Sequence, residues 1–413
     1  MIRYLFVALI GISLHAHAQQ SIKLGLNYPS TGRYKEQGIA QARGALMAIE
    51  EINAAGGVLG RPLELLTANT ASKPGRAVGN VKDLAAQGVS MLFGGSSSAV
   101  AIAAGKEAAN QNLIYFGTLT YANETTDEDG HRHMFRETYN AWMAAKALSA
   151  YLQKDLANKR VFYITADYSW GHSTESSLRM FTKTTDSVLH KGVLVPFPRP
   201  RQSDLETSLQ AAADSGADVL MLIQFGDDMA TALNLAYKMG LKDKMQIVVP
   251  NLTLGMAKSA GAGVLEGVIG AVPWCWKVPY QFDYPRGKTF VEEFSRRYNK
   301  YPSSSAASAY SIVYQFRDAV ERTKSLNTDK LIAALENYSY VLLKDTQTWR
   351  DFDHQNLQSV YVVRGKQREE VLQDKYHEDY FDILLKVSGD QVAKTRPEWD
   401  DTRRLAGAPL ELQ

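Results

Sequence analysis

Gly95-Ser96-Ser97-Ser98 is the stretch of this chain best equipped to hold a ligand. An apolar run, 91–94, leads into it, and a small-residue run, 99–109, follows. That order reads as a strand, a glycine turn and a helix start. Free backbone N–H groups and three hydroxyls then converge at a helix N-terminus, where the macrodipole favours an anion. A carboxylate suits such a place. The loop lacks the lysine that a nucleotide-cradling loop requires. The same serines also fit plain helix capping, and the segment alone leaves both readings open.

The elements that must position this loop follow one rhythm. Apolar strands at 22–28, 63–68, 91–94 and 113–118 alternate with helices at 38–55, 74–87 and 99–110. The rhythm restarts with a helix at 141–155. Strands follow at 160–165, 188–195, 218–224 and 246–250, separated by helices at 173–185, 204–215 and 229–239. Strands this continuously apolar are covered by helices on both faces. Two such runs predict an α/β protein with two doubly wound, Rossmann-like sheets, each parallel in the main. Two long helices come later, at 284–298 and 306–324, and strands return at 348–352, 358–363 and 381–387. The simplest layout has the chain cross between lobes more than once, with the late helices completing the first lobe and the last strands the second. Beyond residue 387 the chain is polar and reads as a loosely held tail.

Ligands of open α/β sheets sit beyond the carboxyl ends of the strands. That rule selects Tyr34 and Gln37 after the first strand, the serine run after the third, and Thr118 and Thr120 after the fourth. In the second half it selects Tyr168 and Trp170, then Phe225 and Asp227, then Asn251. Hydroxyls, amides and aromatic rings suit a small polar ligand with an apolar part, held between two lobes.

Residues 1–18 read as a secretory signal. Arg3 opens it, 4–14 is a short apolar run, and Ala16-His17-Ala18 is a cleavage site, so the mature chain begins at Gln19 in the periplasm. The apolar run is too short to span a bilayer. With 46 basic and 44 acidic residues the formal charge is +2, or +1 without Arg3, which provides no field for nucleic acid. Cys275 is the single cysteine, so no internal disulfide forms.

Four segments, GGVLGRPLELL, LFGGSSSAVAIAAGKEAANQNLIYFGTLT, DYSWG and DHQNLQSVYVV, occur in an order that resembles the periplasmic binding proteins of branched-chain and hydrophobic amino acid importers. The resemblance runs from about Ser21 to Val387. It implies the type I periplasmic binding fold, two α/β lobes joined by three crossovers. Lobe 1 would comprise 19–139 plus 272–338, lobe 2 would comprise 140–271 plus 339–387, and 388–413 would form the tail. It also implies a monomer without catalytic activity or cofactor, which captures a solute and delivers it to an ABC permease in the inner membrane. Carried over by position, Ser96, Ser97, Ser98, Thr118 and Thr120 hold the ligand carboxylate, and Tyr168 closes from the other side.

One departure bears on the ligand. Amino-acid binders of this family place an acidic side chain in lobe 2 against the ligand ammonium, but the loop here reads Asn251-Leu252-Thr253. A neutral amide balances a buried ammonium poorly. Either Asp227 or Asp228 substitutes, unless both cap their helix, or the ligand is an organic acid or amide without an ammonium. Trp274 and Trp276, near the second crossover, either line the pocket or pack the hinge.

Competing readings are narrower. A sensor of the same fold would bind the same solute and report it to a receptor. A hydrolase built on Asp353 and His354 lacks a nucleophile in a suitable setting. His131-x-His133 beside the acidic stretch 124–129 has metal-ligating types, but a solvated loop is the better reading of it. Gly261, Gly263 and Gly267 lack dinucleotide-fingerprint spacing and read as a loop.

Overall fold

The computed structural model describes residues 20–153 and 158–413. The signal reading of 1–18 lies outside the described residues. Strands β1 (Ile22–Tyr28), β2 (Leu63–Asn69), β3 (Val89–Gly94), β4 (Tyr115–Gly117) and β5 (Met134–Arg136) form one sheet in the order β2-β1-β3-β4-β5, parallel throughout. A second sheet takes β6 (Val161–Ala166), β7 (Gly192–Val195), β8 (Val219–Ile223), β9 (Gln246–Val249) and β10 (Ile269–Val272). Three short strands, β11 (Ser339–Tyr340), β12 (Gln347–Trp349) and β13 (Asn356–Leu357), make a small antiparallel sheet near the hinge. Then β14 (Val360–Gly365) and β15 (Phe381–Val387) extend the second sheet, in the order β15-β14-β10-β9-β8-β6-β7, both antiparallel to their neighbours.

All of β6 and β8 is buried, as their unbroken apolar runs require. The chain crosses between lobes after β5, after β10 and before β14. Helix Ser304–Thr323 packs on helix Lys35–Ala54 of the first lobe. The crossing is very close: a Cβ on Gly44 would lie 2.1 Å from the Ala306 carbonyl oxygen. Only a glycine lets these backbones approach so nearly.

Three local expectations change. Residues 188–191 lie outside β7, and the short helix Ala262–Leu265 occupies the middle of the region read as a glycine loop. The segment after 387 is docked on the first lobe. Helix Arg396–Leu405 buries Trp399, whose indole N–H donates to the Thr126 carbonyl at 2.8 Å, and Arg403 donates to the Gly130 carbonyl at 3.1 Å. Lys394 forms a buried ion pair with Asp127 at 2.5 Å. Distant ion pairing thus anchors a segment whose polar composition suggested a loose tail.

That docking also buries part of the acidic stretch 124–129. Burial pushes the Glu124 carboxyl up to about 7, against backbone hydrogen bonding that lowers it. A folded-state value above the unfolded 4.5 gives stability that is full below about pH 4.5 and lost as pH rises through 7. Glu124→Gln is therefore expected to raise stability at pH 8, by up to ~3 kcal/mol, and to change little at pH 4. Urea melts at the two pH values check this; an equal shift at both would show that the carboxyl is not the cause.

Candidate functional site

The carboxyl ends of both sheets face each other, and their loops meet across a cleft. Tyr34 of the first lobe meets Phe225 of the second edge to face, with ring centroids 5.3 Å apart. Gln37 donates to the Thr253 hydroxyl at 3.4 Å, and Arg33 pairs with Asp228. The Tyr139 hydroxyl lies 3.3 Å from the Pro250 carbonyl and 3.2 Å from that of Ala271. Asn123 donates through its side chain to the Ser177 hydroxyl at 3.0 Å. The lobes are closed on one another.

Phe225 is the centre of an aromatic cluster. Besides Tyr34, it touches the rings of Tyr121 at 5.8 Å and Trp170 at 5.9 Å. Tyr168 is half-buried, stacks on Phe197 at 3.9 Å and sets its phenol against that of Tyr34. Burial raises the pKa of the Tyr34, Tyr121 and Tyr168 phenols. All three stay protonated and act as neutral hydrogen-bonding groups.

The serine run opens helix Ser98–Asn110. Ser97 is the N-cap and accepts from the Val100 N–H at 3.4 Å. Ser98 accepts from the N–H groups of Tyr121 and Ala122 at 3.2 and 2.9 Å, and Ser96 accepts from the Thr70 hydroxyl at 3.2 Å. In these bonds each serine oxygen is the acceptor, so its own O–H remains to donate. Capping and anion binding are therefore compatible in this loop. Thr118 donates to Gln41 at 2.6 Å, and Thr120 shares a hydrogen bond with Thr125 at 2.7 Å.

Opposite, Asn251 is buried with both amide atoms unpartnered. Asp227 is exposed at the rim in the first turn of helix Asp227–Lys238, near Arg33 and Glu36. Its candidacy as a buried ammonium partner fails, and Asp228 already serves Arg33. Trp274 is buried with its indole N–H unpartnered, while Trp276 stacks on Tyr301 at 3.9 Å and packs the hinge. Asp353 and His354 are structural. Asp353 pairs with Arg350, and the His354 ring stacks on Phe135 at 3.9 Å and bonds Glu336 at 3.1 Å. Among the described residues no group of three or more His, Cys, Asp or Glu side chains is placed to hold a metal.

Sequence reasoning passed over Glu137, Thr138, Lys344, Ser303 and Ser304, all of which reach the region between the lobes. One signal was present: Ser-Ser-Ser-Ala occurs twice, at 96–99 and at 303–306, each time opening a helix.

Residues 21–370 match the model of the family described as periplasmic binding protein. A relative named Leu/Ile/Val-binding protein homolog 7, from Brucella melitensis, is 28% identical over 307 residues, which is 70% of this chain and 74% of that protein. A periplasmic binding protein from Burkholderia mallei superposes with a TM-score of 0.82 at 23% identity, over 92% of this chain and 98% of that one. A solute-binding protein of an ABC transporter from Rhodopseudomonas palustris, solved with 3,4-dihydroxybenzoic acid, superposes with a TM-score of 0.76 at 16% identity, over 90% and 98%. At those identities the two structures establish the fold.

Proposed function

The chain belongs to the periplasmic binding protein family, and from that premise we propose that it captures a small carboxylate-bearing solute between its lobes and passes it to an ABC permease in the inner membrane. The mature monomer would begin at Gln19, after cleavage behind Ala18. One contrast carries the reading. The first lobe offers an anion-ready helix start at Ser96, Ser97 and Ser98, while the second offers Asn251, a neutral side chain with both polar atoms open. This pairing suits a carboxylate, and the loop after β9 brings a neutral amide where an ammonium would want an acid. An organic acid without an α-ammonium, aliphatic or aromatic, fits best. The names of similar proteins span both possibilities, branched-chain amino acids in the Brucella relative and an aromatic acid in the Rhodopseudomonas protein.

Closure delivers the signal. The permease would distinguish closed from open lobes, and the solute favours the closed state by touching both. A thermal-shift screen of protein refolded to strip bound ligand tests the class, pairing amino acids with their deaminated acids. Stabilisation by the acids alone is expected, because only native protein binds them. Stabilisation by leucine or phenylalanine would overturn the missing-ammonium reading. With the best ligand in hand, Ser97→Ala should weaken binding by ~1–3 kcal/mol, read by calorimetry. Unchanged affinity would remove the carboxylate from this loop.

A further inference from the structure

A carboxylate is buried where the first lobe meets the second. Short helix Asn123–Thr125 follows β4 and lies against helix Ser169–Thr182 of the second lobe. The Asn123 N–H donates to the Ser173 hydroxyl at 3.3 Å, and the Asn123 side chain donates to the Ser177 hydroxyl at 3.0 Å. Glu124 is the next residue. Its Oε2 is buried and has no partner. A buried oxygen left unpaired costs far more ionised than neutral. The C-terminal segment docks a step further on, at Thr126 and Asp127, and holds to the first lobe. Helix Ser169–Thr182 belongs to the second lobe and leaves with it when the cleft opens.

The charges around Glu124 do not rescue its ionised form. Asp127 and Glu128 repel it, while its own N–H and the Ser173 hydroxyl give partial help. Arg136 spends its donors on Gln355 at 2.6 Å, on Thr126 at 2.5 Å and on the Ala122 carbonyl. Lys394 is paired with Asp127 at 2.5 Å and Lys106 with Asp129 at 2.6 Å. Arg403 is turned to the Asp127 and Gly130 carbonyls. On the opposing helix, His172 pairs with Asp167 at 2.9 Å and Glu175 with Arg179 at 2.7 Å. Lys146 of helix Ala141–Leu152 lies over the Phe181 ring, 5.7 Å from its centre. Burial therefore dominates and pushes the Glu124 carboxyl up to about 7 with the lobes closed. Opening gives it back to water and returns it toward its ordinary 4.5.

We propose that closure of the lobes takes up a proton on Glu124, so that the cleft shuts more readily in acid. The closed form favours the neutral carboxyl, and the open form tolerates the ion. The advantage is full below about pH 4.5 and is lost as pH rises through 7. A solute that depends on closure is then held more tightly in acidic surroundings. The solute itself need not touch Glu124, because proton and solute act on one equilibrium between open and closed lobes. This assignment rests on the reading that the lobes open and close around a solute.

A disulfide across the cleft reads the closed population without any ligand. A Cβ on Gly255, in helix Leu254–Ala260 of the second lobe, would lie 3.5 Å from the Glu36 Cβ of the first. That spacing suits a disulfide, so Glu36→Cys with Gly255→Cys forms one only when the lobes are closed. Cys275 is buried, with its thiol pushed up to about 12, and stays out of exchange. Equilibration with glutathione gives the effective concentration of the two thiols, which follows the closed fraction. The same measurement in a Glu124→Gln background cancels the titration of the thiols themselves. The ratio of the two backgrounds, native over variant, should fall about 10-fold from pH 6 to pH 8. Circular dichroism confirms folding, and Glu124→Ala repeats the comparison if Glu124→Gln does not fold. Small-angle scattering of the reduced and oxidised forms at pH 8 shows whether the reduced protein is open. A flat ratio in a reduced protein that is open would overturn the proton link alone. A reduced protein as compact as the oxidised one would overturn the opening of the lobes, and the proton link with it. The class of solute is not at stake in either result.

Discussion

Gly226→Val is expected to reduce ligand affinity by ~100-fold or more, a change of about 2.7 kcal/mol, by preventing the lobes from closing. Gly226 precedes helix Asp227–Lys238 with φ 63° and ψ −137°. A Cβ there would lie 2.5 Å from Cδ1 of Tyr34 and 2.9 Å from the Arg33 carbonyl oxygen. Both neighbours belong to the opposite lobe. The clash therefore exists only in the closed state, whereas the backbone strain of a β-branched residue at this φ and ψ acts in both states and costs about 1–3 kcal/mol of stability. The two effects separate experimentally. Small-angle scattering of the wild-type protein should show compaction on adding saturating ligand, and Gly226→Val should show none. Placing Tyr34→Ala in the Gly226→Val background should restore compaction only in part, because the Arg33 carbonyl oxygen still meets the new side chain. Unchanged affinity in Gly226→Val would mean that the ligand is held without this contact between the lobes.

Asp127→Ala is expected to destabilise the whole protein by ~3–5 kcal/mol, because it strands the Lys394 ammonium in the interior. The side chains of Asp127 and Lys394 are 2% and 5% exposed. Lys394 also donates to Thr402 at 2.9 Å, which cannot replace the lost charge. The double replacement Asp127→Asn with Lys394→Met should cost much less, since it removes both charges together. Urea melts of the three proteins check the order. If Asp127→Ala and the double variant lose equal stability, the pair acts through packing and not through charge.

The strands were legible where burial on both faces forced an unbroken apolar run. The segment 218–224 became β8 at Val219–Ile223, and 381–387 became β15 without change. Strands held by their neighbours were not legible. β5 is three residues, Met-Phe-Arg, and β10 carries Gly270 in its middle; each is a strand because β4 or β9 lies beside it. Within the site, loop positions followed from the rule that ligands lie beyond strand ends, which brought Tyr34, Phe225 and Asn251 to one cleft. Side-chain partners did not follow. Asp227 and Asp228 are adjacent in sequence, yet one is exposed and the other pairs with Arg33 across the cleft. Lys394 and Asp127 are 267 positions apart, and no local pattern predicts their meeting.

The layout of the first lobe sets the order in which this protein can mature. Its sheet is complete at Arg136, but the face of helix Lys35–Ala54 that meets Ala306 stays bare until Ser304–Thr323 is present. Trp399 and Lys394 dock later still. A nascent chain with half a core exposed cannot settle into its final packing. Final locking of the first lobe therefore waits for the last hundred or so residues of the chain, whose two helices close it from outside.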